Sequence, residues 1–164
     1  MQAASKNRKR IQSNTRFIED FSRSIILNCQ RAVAIDLYHE DPISLADSKR
    51  KISSFLSSIR LKSEKSRYLL LTTPDNQIPS HRLLISDPTQ KILRVLEKRW
   101  RSYQIEEIDQ NYIERAAQGI SEFYVSAVEN LSDSLENSRF VKSKLFHHSR
   151  IQFQKNTSKN DCNP

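Results

Sequence analysis

IEEIDQNYIERAAQGISEFYVSAVENLSDSL, residues 105–135, is the stretch on which a prediction of the fold depends. Its apolar side chains recur three or four residues apart, the spacing that places them on one side of an α-helix. They are Ile105, Ile108, Tyr112, Ala116, Ile120, Phe123, Ala127, Leu131 and Leu135. An apolar stripe of that length is typical of a helical bundle or a coiled-coil seam. The stretch therefore predicts one long helix near 105–137.

The same stretch contains the only glycine of the 164-residue chain, Gly119. Tight turns between strands need residues that adopt positive φ, and glycine does so at the least steric cost. A chain with one glycine is therefore expected to consist of long helices joined by few loops. We predict an all-α fold, a bundle of four to six helices.

Further helices are predicted on both sides of the long one. Apolar residues spaced by three and four indicate helices over 15–38 and 138–153. Two more are marked by Asp-Pro pairs at 41–42 and 87–88, because Asp caps a helix and Pro is tolerated at its first position. The length of the chain suits a single domain. The predicted organisation is a flexible basic arm over 1–14, one helical domain over 15–153 and a disordered tail over 154–164.

The charge of the chain is positive and alternates in sign along the sequence. The net charge is +8, yet residues 104–137 carry eight acids and one base, while residues 49–67 carry seven bases and one acid. A basic surface with an aromatic residue in it is typical of proteins that bind nucleic acid. We predict a non-enzymatic protein that binds the RNA or DNA backbone with weak sequence specificity. The candidate contacts are Lys9, Arg10, Arg50, Lys51, Arg60, Lys62, Arg99, Trp100 and Arg101.

These residues also allow a plainer interpretation, which the sequence leaves open. Lys and Arg beside an apolar stripe can lay their stems on its rim and keep their charges in water. Trp100 and Tyr103 could stack on unpaired bases, but with Ile92 and Leu96 they also have the spacing of a buried helix face.

A helical adaptor, or a subunit of a larger complex, is the second function that the sequence suggests. In that case the long helix would pair with a helix of a protein partner or of a second copy of the chain. Its charges would set the register between the two paired helices. The candidate interface residues are Ile113, Ile120, Phe123, Ala127 and Leu131.

The sequence contains no pattern that predicts catalysis, a cofactor, a metal or a small-molecule substrate. One glycine cannot form a glycine-rich phosphate loop, and the four histidines show no metal-ligand spacing. No apolar run approaches the length of a membrane-spanning helix, and no secretion signal is evident. We therefore expect a protein of the nucleus or cytoplasm.

Residues 22–59, SRSIILNCQRAVAIDLYHEDPISLADSKRKISSFLSSI, resemble the first helical pair of translin-type RNA-binding proteins. The resemblance implies two helices in this region. No site residue or activity is carried over from it.

Overall fold

The structure, a computed structural model, describes residues 2–60, 65–73, 78–134 and 145–149. Its helices are α1 (Gln2–Leu27), α2 (Leu45–Arg60), α3 (Gln90–Arg99) and α4 (Ile113–Ser134). Its strands are β1 (Ala32–Tyr38), β2 (Tyr68–Thr73), β3 (Ser80–Ser86), β4 (Ser102–Ile108) and β5 (Phe146–His148). A short 3-10 turn, Gln110–Tyr112, leads into α4.

The five strands form one antiparallel sheet in the order β4-β1-β3-β2-β5. β1 and β2 are joined through α2, and β3 and β4 through α3, so that two β-α-β units interleave in one sheet. This is the split β-α-β arrangement, also called ferredoxin-like. Helices α1 and α4 and strand β5 are additions to that unit.

Both faces of the sheet are covered by helices. Successive side chains of a strand point to opposite faces, so the central strands β1, β2 and β3 contribute to two apolar cores. Val33, Ile35 and Leu37 of β1 pack with α2 and α3, whereas Leu69 and Leu71 of β2 pack with α1 and α4. Arg23 of α1 donates two hydrogen bonds to Glu114 of α4, at 2.7 and 2.8 Å, and joins the helices of the second layer.

The prediction of an all-α bundle is wrong, because the structure is an α+β fold built on this sheet. The argument from glycine fails because other residues provide the turns. Asp87 adopts φ 41°, and its carboxylate accepts hydrogen bonds from the backbone N–H groups of Gln30, at 3.0 Å, and Arg31, at 2.8 Å. These two hydrogen bonds to the segment after α1 hold Asp87 in the left-handed conformation without glycine.

The helix predicted over 15–38 is wrong beyond residue 27, where α1 gives way to β1. Ile25, Cys29, Val33 and Leu37 are four residues apart, and a spacing of four fits both a helix face and alternation along a strand. The same strand lies in the middle of 22–59. That region therefore contains the end of α1, then β1 and α2, and not the helical pair that the translin resemblance implied.

The long helix predicted near 105–137 is also wrong in its first part. Ile105 and Ile108 belong to β4, and α4 begins at Ile113. Asp109 separates the two elements, since its carboxylate accepts a hydrogen bond from the backbone of Asn111 at 2.8 Å and starts the 3-10 turn. The last helix is predicted over 138–153. That prediction is wrong for the part of this range that the structure describes, 145–149, where residues 146–148 form β5.

The two helices marked by Asp-Pro pairs are present, but they begin a few residues later. The Oγ of Ser44 accepts from the backbone N–H of Asp47 at 3.1 Å at the start of α2. Thr89 caps α3 by accepting from Ile92. Residues 2–14 form the first turns of α1, and the predicted tail over 154–164 lies outside the described residues.

Candidate functional site

A row of polar side chains lies inside the apolar layer between the sheet and α2. Leu37 of β1, His81 of β3 and Thr72 of β2 stand opposite one another on adjacent strands. They share the face that α2 covers, because residues in register point the same way. His81 is 1% exposed and Thr72 5%, so both polar side chains need partners inside the protein.

Ser48, in the first turn of α2, supplies the missing partner. Its Oγ lies 2.7 Å from His39 Nε2 and 2.8 Å from His81 Nε2. On the other side of the ring, His81 Nδ1 lies 2.9 Å from Thr72 Oγ1. Ser48 is fully buried and His39 is 7% exposed. We call these four residues, His39, Ser48, His81 and Thr72, the buried hydrogen-bond chain.

The protons of the buried hydrogen-bond chain can be arranged in two directions. Each hydroxyl donates one proton and a neutral imidazole carries one N–H. Either Thr72 donates to His81, which donates to Ser48, which donates to His39, or every donor and acceptor is reversed. Both arrangements satisfy all three contacts, so neither imidazole needs a second proton.

Both imidazoles are held in the neutral form. Burial lowers the pKa of His81 to about 3, and the charges of His39, Lys49 and Lys51 act in the same direction. The pKa of His39 is also lowered, first by burial and then by the charge of Lys51. At neutral pH the four side chains of the buried hydrogen-bond chain are therefore uncharged, which is why they are tolerated in an apolar layer.

Replacing Ser48 by alanine is expected to lower the free energy of unfolding by about 1–3 kcal/mol, because two buried imidazoles lose a partner. Ser53→Ala is the matched control, since Ser53 is an exposed serine of the same helix and its loss is expected to change stability by less than about 0.5 kcal/mol. Urea unfolding followed by circular dichroism measures both. Equal stability of the two variants would contradict the role given to Ser48.

His39, at one end of the buried hydrogen-bond chain, lines a cleft of about 360 Å³. Basic side chains also line this cleft. The backbone N–H of Trp100 donates to the carbonyl of Leu96 at 2.9 Å and closes the last turn of α3. Lys98 and Arg99 lie in that turn and Arg101 follows it, while Lys51 reaches the cleft from α2. We call this the basic cleft, defined by Lys51, Lys98, Arg99 and Arg101 with His39. Glu40 and Asp41 also line it.

Among the described residues, the four cations of the basic cleft have no ion-pair partner, unlike Arg23, Arg31, Arg50 and Arg82. Within the described ranges, none of the ion pairs formed at 4 Å or less includes Lys51, Lys98, Arg99 or Arg101. Arg99 donates to the hydroxyl of Ser54 at 2.8 Å, and the Lys51 ammonium lies 4.7 Å from the centre of the Trp100 ring. These two cations therefore have partners, but neither partner carries a negative charge.

Trp100 forms part of the core beneath the basic cleft. Its side chain is 1% exposed, and its ring centre lies 5.0 Å from that of His39 and 5.9 Å from that of His81. A ring enclosed in this way offers no face to an unpaired base. The structure thus favours the second of the two interpretations that the sequence left open for Trp100.

The other predicted nucleic-acid contacts are dispersed. Arg50 is exposed and paired with Asp47 at 3.2 Å, and Lys9 and Arg10 lie on α1, which covers the opposite face of the sheet. The side chain of Arg60 and all of Lys62 lie outside the described residues. The candidate contacts predicted from the sequence do not include Lys98, although it lies beside Arg99, and the sequence does not connect His39 to the cleft.

The residues predicted as a partner interface pack inside this chain. Ile120 and Ala127 are buried, and Ile113 and Phe123 are half-buried against the layer formed by α1, α4 and the sheet. The side chain of Leu131 is outside the described part. Their contact with a partner stays a prediction.

Two general properties can be stated for the described part of the chain. None of its helices combines the length and the apolar character that crossing a membrane requires. None of its His, Cys, Asp and Glu side chains form a group of three that could hold a metal ion. The compartment, nucleus or cytoplasm, stays a prediction.

Comparison with known proteins shows the fold alone. No protein-family model and no curated protein matches the chain. The chain is similar to a solved structure, the crystal structure of the hypothetical protein ORF119 from Sulfolobus islandicus rod-shaped virus 1, with a TM-score of 0.53 and 12% sequence identity. The match covers 66% of this chain and 92% of that one.

Proposed function

We propose that the protein binds the phosphodiester backbone of nucleic acid through the basic cleft, with weak sequence specificity. One observation carries the proposal. Four cationic side chains converge on one cleft, against the two carboxylates of Glu40 and Asp41, and within the described part of the chain none of the four forms an ion pair at 4 Å or less. Lys and Arg side chains are the groups that most often contact phosphate oxygens in protein–nucleic acid complexes.

A plainer explanation covers only part of this arrangement. Cations in the last turn of a helix interact favourably with its dipole, and that accounts for Lys98 and Arg99 in α3. It does not account for Lys51, which comes from α2, or for Arg101, which follows α3. The helix dipole thus leaves part of the positive charge of the cleft unexplained, and phosphates of a nucleic-acid backbone would neutralise that charge.

The weak specificity follows from what surrounds the cleft. Readers of single-stranded sequence stack bases on exposed aromatic rings. The ring of Trp100 is enclosed, and both faces of the sheet are covered by helices. Tyr38 is 37% exposed and lines the cleft, but one ring is fewer than the two or three that a sequence-reading platform uses to stack bases. The cleft therefore presents mainly charge.

Reversing two charges, Lys98→Glu with Arg101→Glu, is expected to weaken binding of labelled RNA and DNA by roughly 30-fold, or about 2 kcal/mol. Each lost phosphate contact should reduce the slope of log affinity against log salt by about 1. Fluorescence anisotropy, with single-stranded RNA, duplex RNA and duplex DNA titrated at several salt concentrations, measures both quantities.

The double variant Lys91→Glu with Arg115→Glu provides the control. It makes the same change in net charge with exposed residues that do not line the basic cleft. If both double variants weaken binding equally, the effect comes from net charge alone and the cleft has no special role. Absence of binding by the unaltered protein at low salt would overturn the proposal.

A further inference from the structure

We propose that the protein has a second binding site, for a small carboxylate with a compact apolar body, in the pocket at the Thr72 end of the buried hydrogen-bond chain. The proposal does not depend on nucleic-acid binding. The pocket lies between α2 and the β2–β5 side of the sheet and has a volume of about 200 Å³. We call it the Lys49 pocket.

The walls of the Lys49 pocket are mainly apolar. Ile52 and Leu56 come from α2, Leu70 from β2 and Phe146 from β5. A smaller apolar cavity, of about 150 Å³, is enough to hold benzene. The Lys49 pocket therefore suits an apolar body of about six to eight carbons, and a long acyl chain would exceed it.

Lys49 gives the pocket its preference for an anion. Its side chain is half-buried, and burial lowers the pKa of its ammonium group. Within the described ranges no carboxylate lies within 4 Å of it, whereas the half-buried Arg82 is paired with Asp36 at 2.7 Å. A desolvated cation without a counter-ion is costly, and a bound carboxylate would remove that cost.

Thr72 and Ser53 supply polar groups in the same lining. When His81 donates to Thr72, the hydroxyl proton of Thr72 is free to donate to a ligand. A carboxylate held between Lys49 and Thr72 would thus select one direction of the buried hydrogen-bond chain. Ser57 and His147 are also part of the lining. In small-molecule sites polar groups of this kind fix the orientation of a ligand whose body contacts the apolar walls.

Hexanoate and 1-hexanol form a matched pair of probes, because they share the apolar body and differ in charge. Isothermal titration calorimetry of the full chain is expected to show hexanoate binding at least 10-fold more tightly than 1-hexanol. Lys49→Met keeps an apolar side chain of similar length and is expected to abolish that difference. Lys91→Met is the control, since Lys91 is exposed and lines neither the Lys49 pocket nor the basic cleft.

Three results would overturn the proposal. They are no binding of hexanoate, equal binding of hexanoate and 1-hexanol by the unaltered protein, and the same loss of hexanoate affinity in both lysine variants. Circular dichroism establishes that each variant is folded. As a second measurement, hexanoate should shift the NMR signals of Thr72 and His147, which line the pocket, and leave those of Lys98 and Arg101 unchanged.

Discussion

Replacing Trp100 by alanine is expected to lower the free energy of unfolding by about 3–5 kcal/mol, as large-to-small changes at buried aromatic residues do. Trp100 is among the largest fully buried side chains and packs between Phe55 of α2 and the imidazoles of His39 and His81. Its removal leaves a cavity that these rings cannot close without breaking the buried hydrogen-bond chain. The loss of stability should therefore lie at the upper end of that range.

Urea unfolding of Trp100→Ala, Trp100→Phe and Tyr112→Ala tests this expectation. Trp100→Phe should be much less harmful, because it keeps an aromatic ring, and the buried indole N–H has no partner among the described residues. Tyr112→Ala should change stability little, since Tyr112 is 62% exposed. A Trp100→Ala protein of unaltered stability that had lost nucleic-acid binding would contradict the structural role and restore the stacking interpretation.

Acidification from pH 7 to pH 4 is expected to remove about 3 kcal/mol of stability through His81 alone. The pKa of His81 is about 3 in the folded protein, below the ordinary value of 6.5 that it has when unfolded. Between these two values the unfolded chain binds a proton that the folded protein does not. The stabilisation is therefore complete above pH 6.5 and is lost as the pH falls toward 3, by up to about 1.4 kcal/mol per pH unit. The lowered pKa of His39 acts with the same sign.

The contribution of His81 can be isolated with His81→Gln. Carboxylates such as Glu114, whose pKa is lowered by Arg23, also lose their stabilising effect in acid. They are common to both proteins, so the difference between the two stability curves measures His81. The unaltered protein should lose stability more steeply than the variant below pH 6.5. Parallel curves would show that His81 is not held neutral by the fold.

The helices could be predicted from the sequence better than the strands, for a physical reason. α2 and α3 are amphipathic, and the residues that cap them are local in the sequence. β1 and β2 are buried on both faces, so they appear as continuous apolar runs without the polar alternation of a half-exposed strand. In β1 the residues Val33 and Leu37 also satisfied a helical spacing, and only their pairing with β3 and β4 decides between the two.

The two candidate sites also differ in how far the sequence could predict them. Lys51, Arg99 and Arg101 could be selected from the sequence because they are conspicuous charges, although only the fold brings them together with Lys98. The buried hydrogen-bond chain could not be predicted, since its members are at positions 39, 48, 72 and 81. Their contact depends on the register of β1, β3 and β2, and on the position along these strands at which α2 places Ser48. Single histidines and serines give no signal of such a contact.

The pairing of α1 with α4 has a consequence for how the protein is made. Arg23 and Glu114 are 91 residues apart, so at a synthesis rate of 5–20 residues per second the first leaves the ribosome roughly 5–18 s before the second. During that time β1, β2, β3 and α2 can assemble, because they end at Ser86, whereas Ile18 and Phe21 still lack α4. Long-range contacts of this kind form late. The nascent chain thus carries an exposed apolar helix for seconds, and chaperones that recognise such surfaces would find it there.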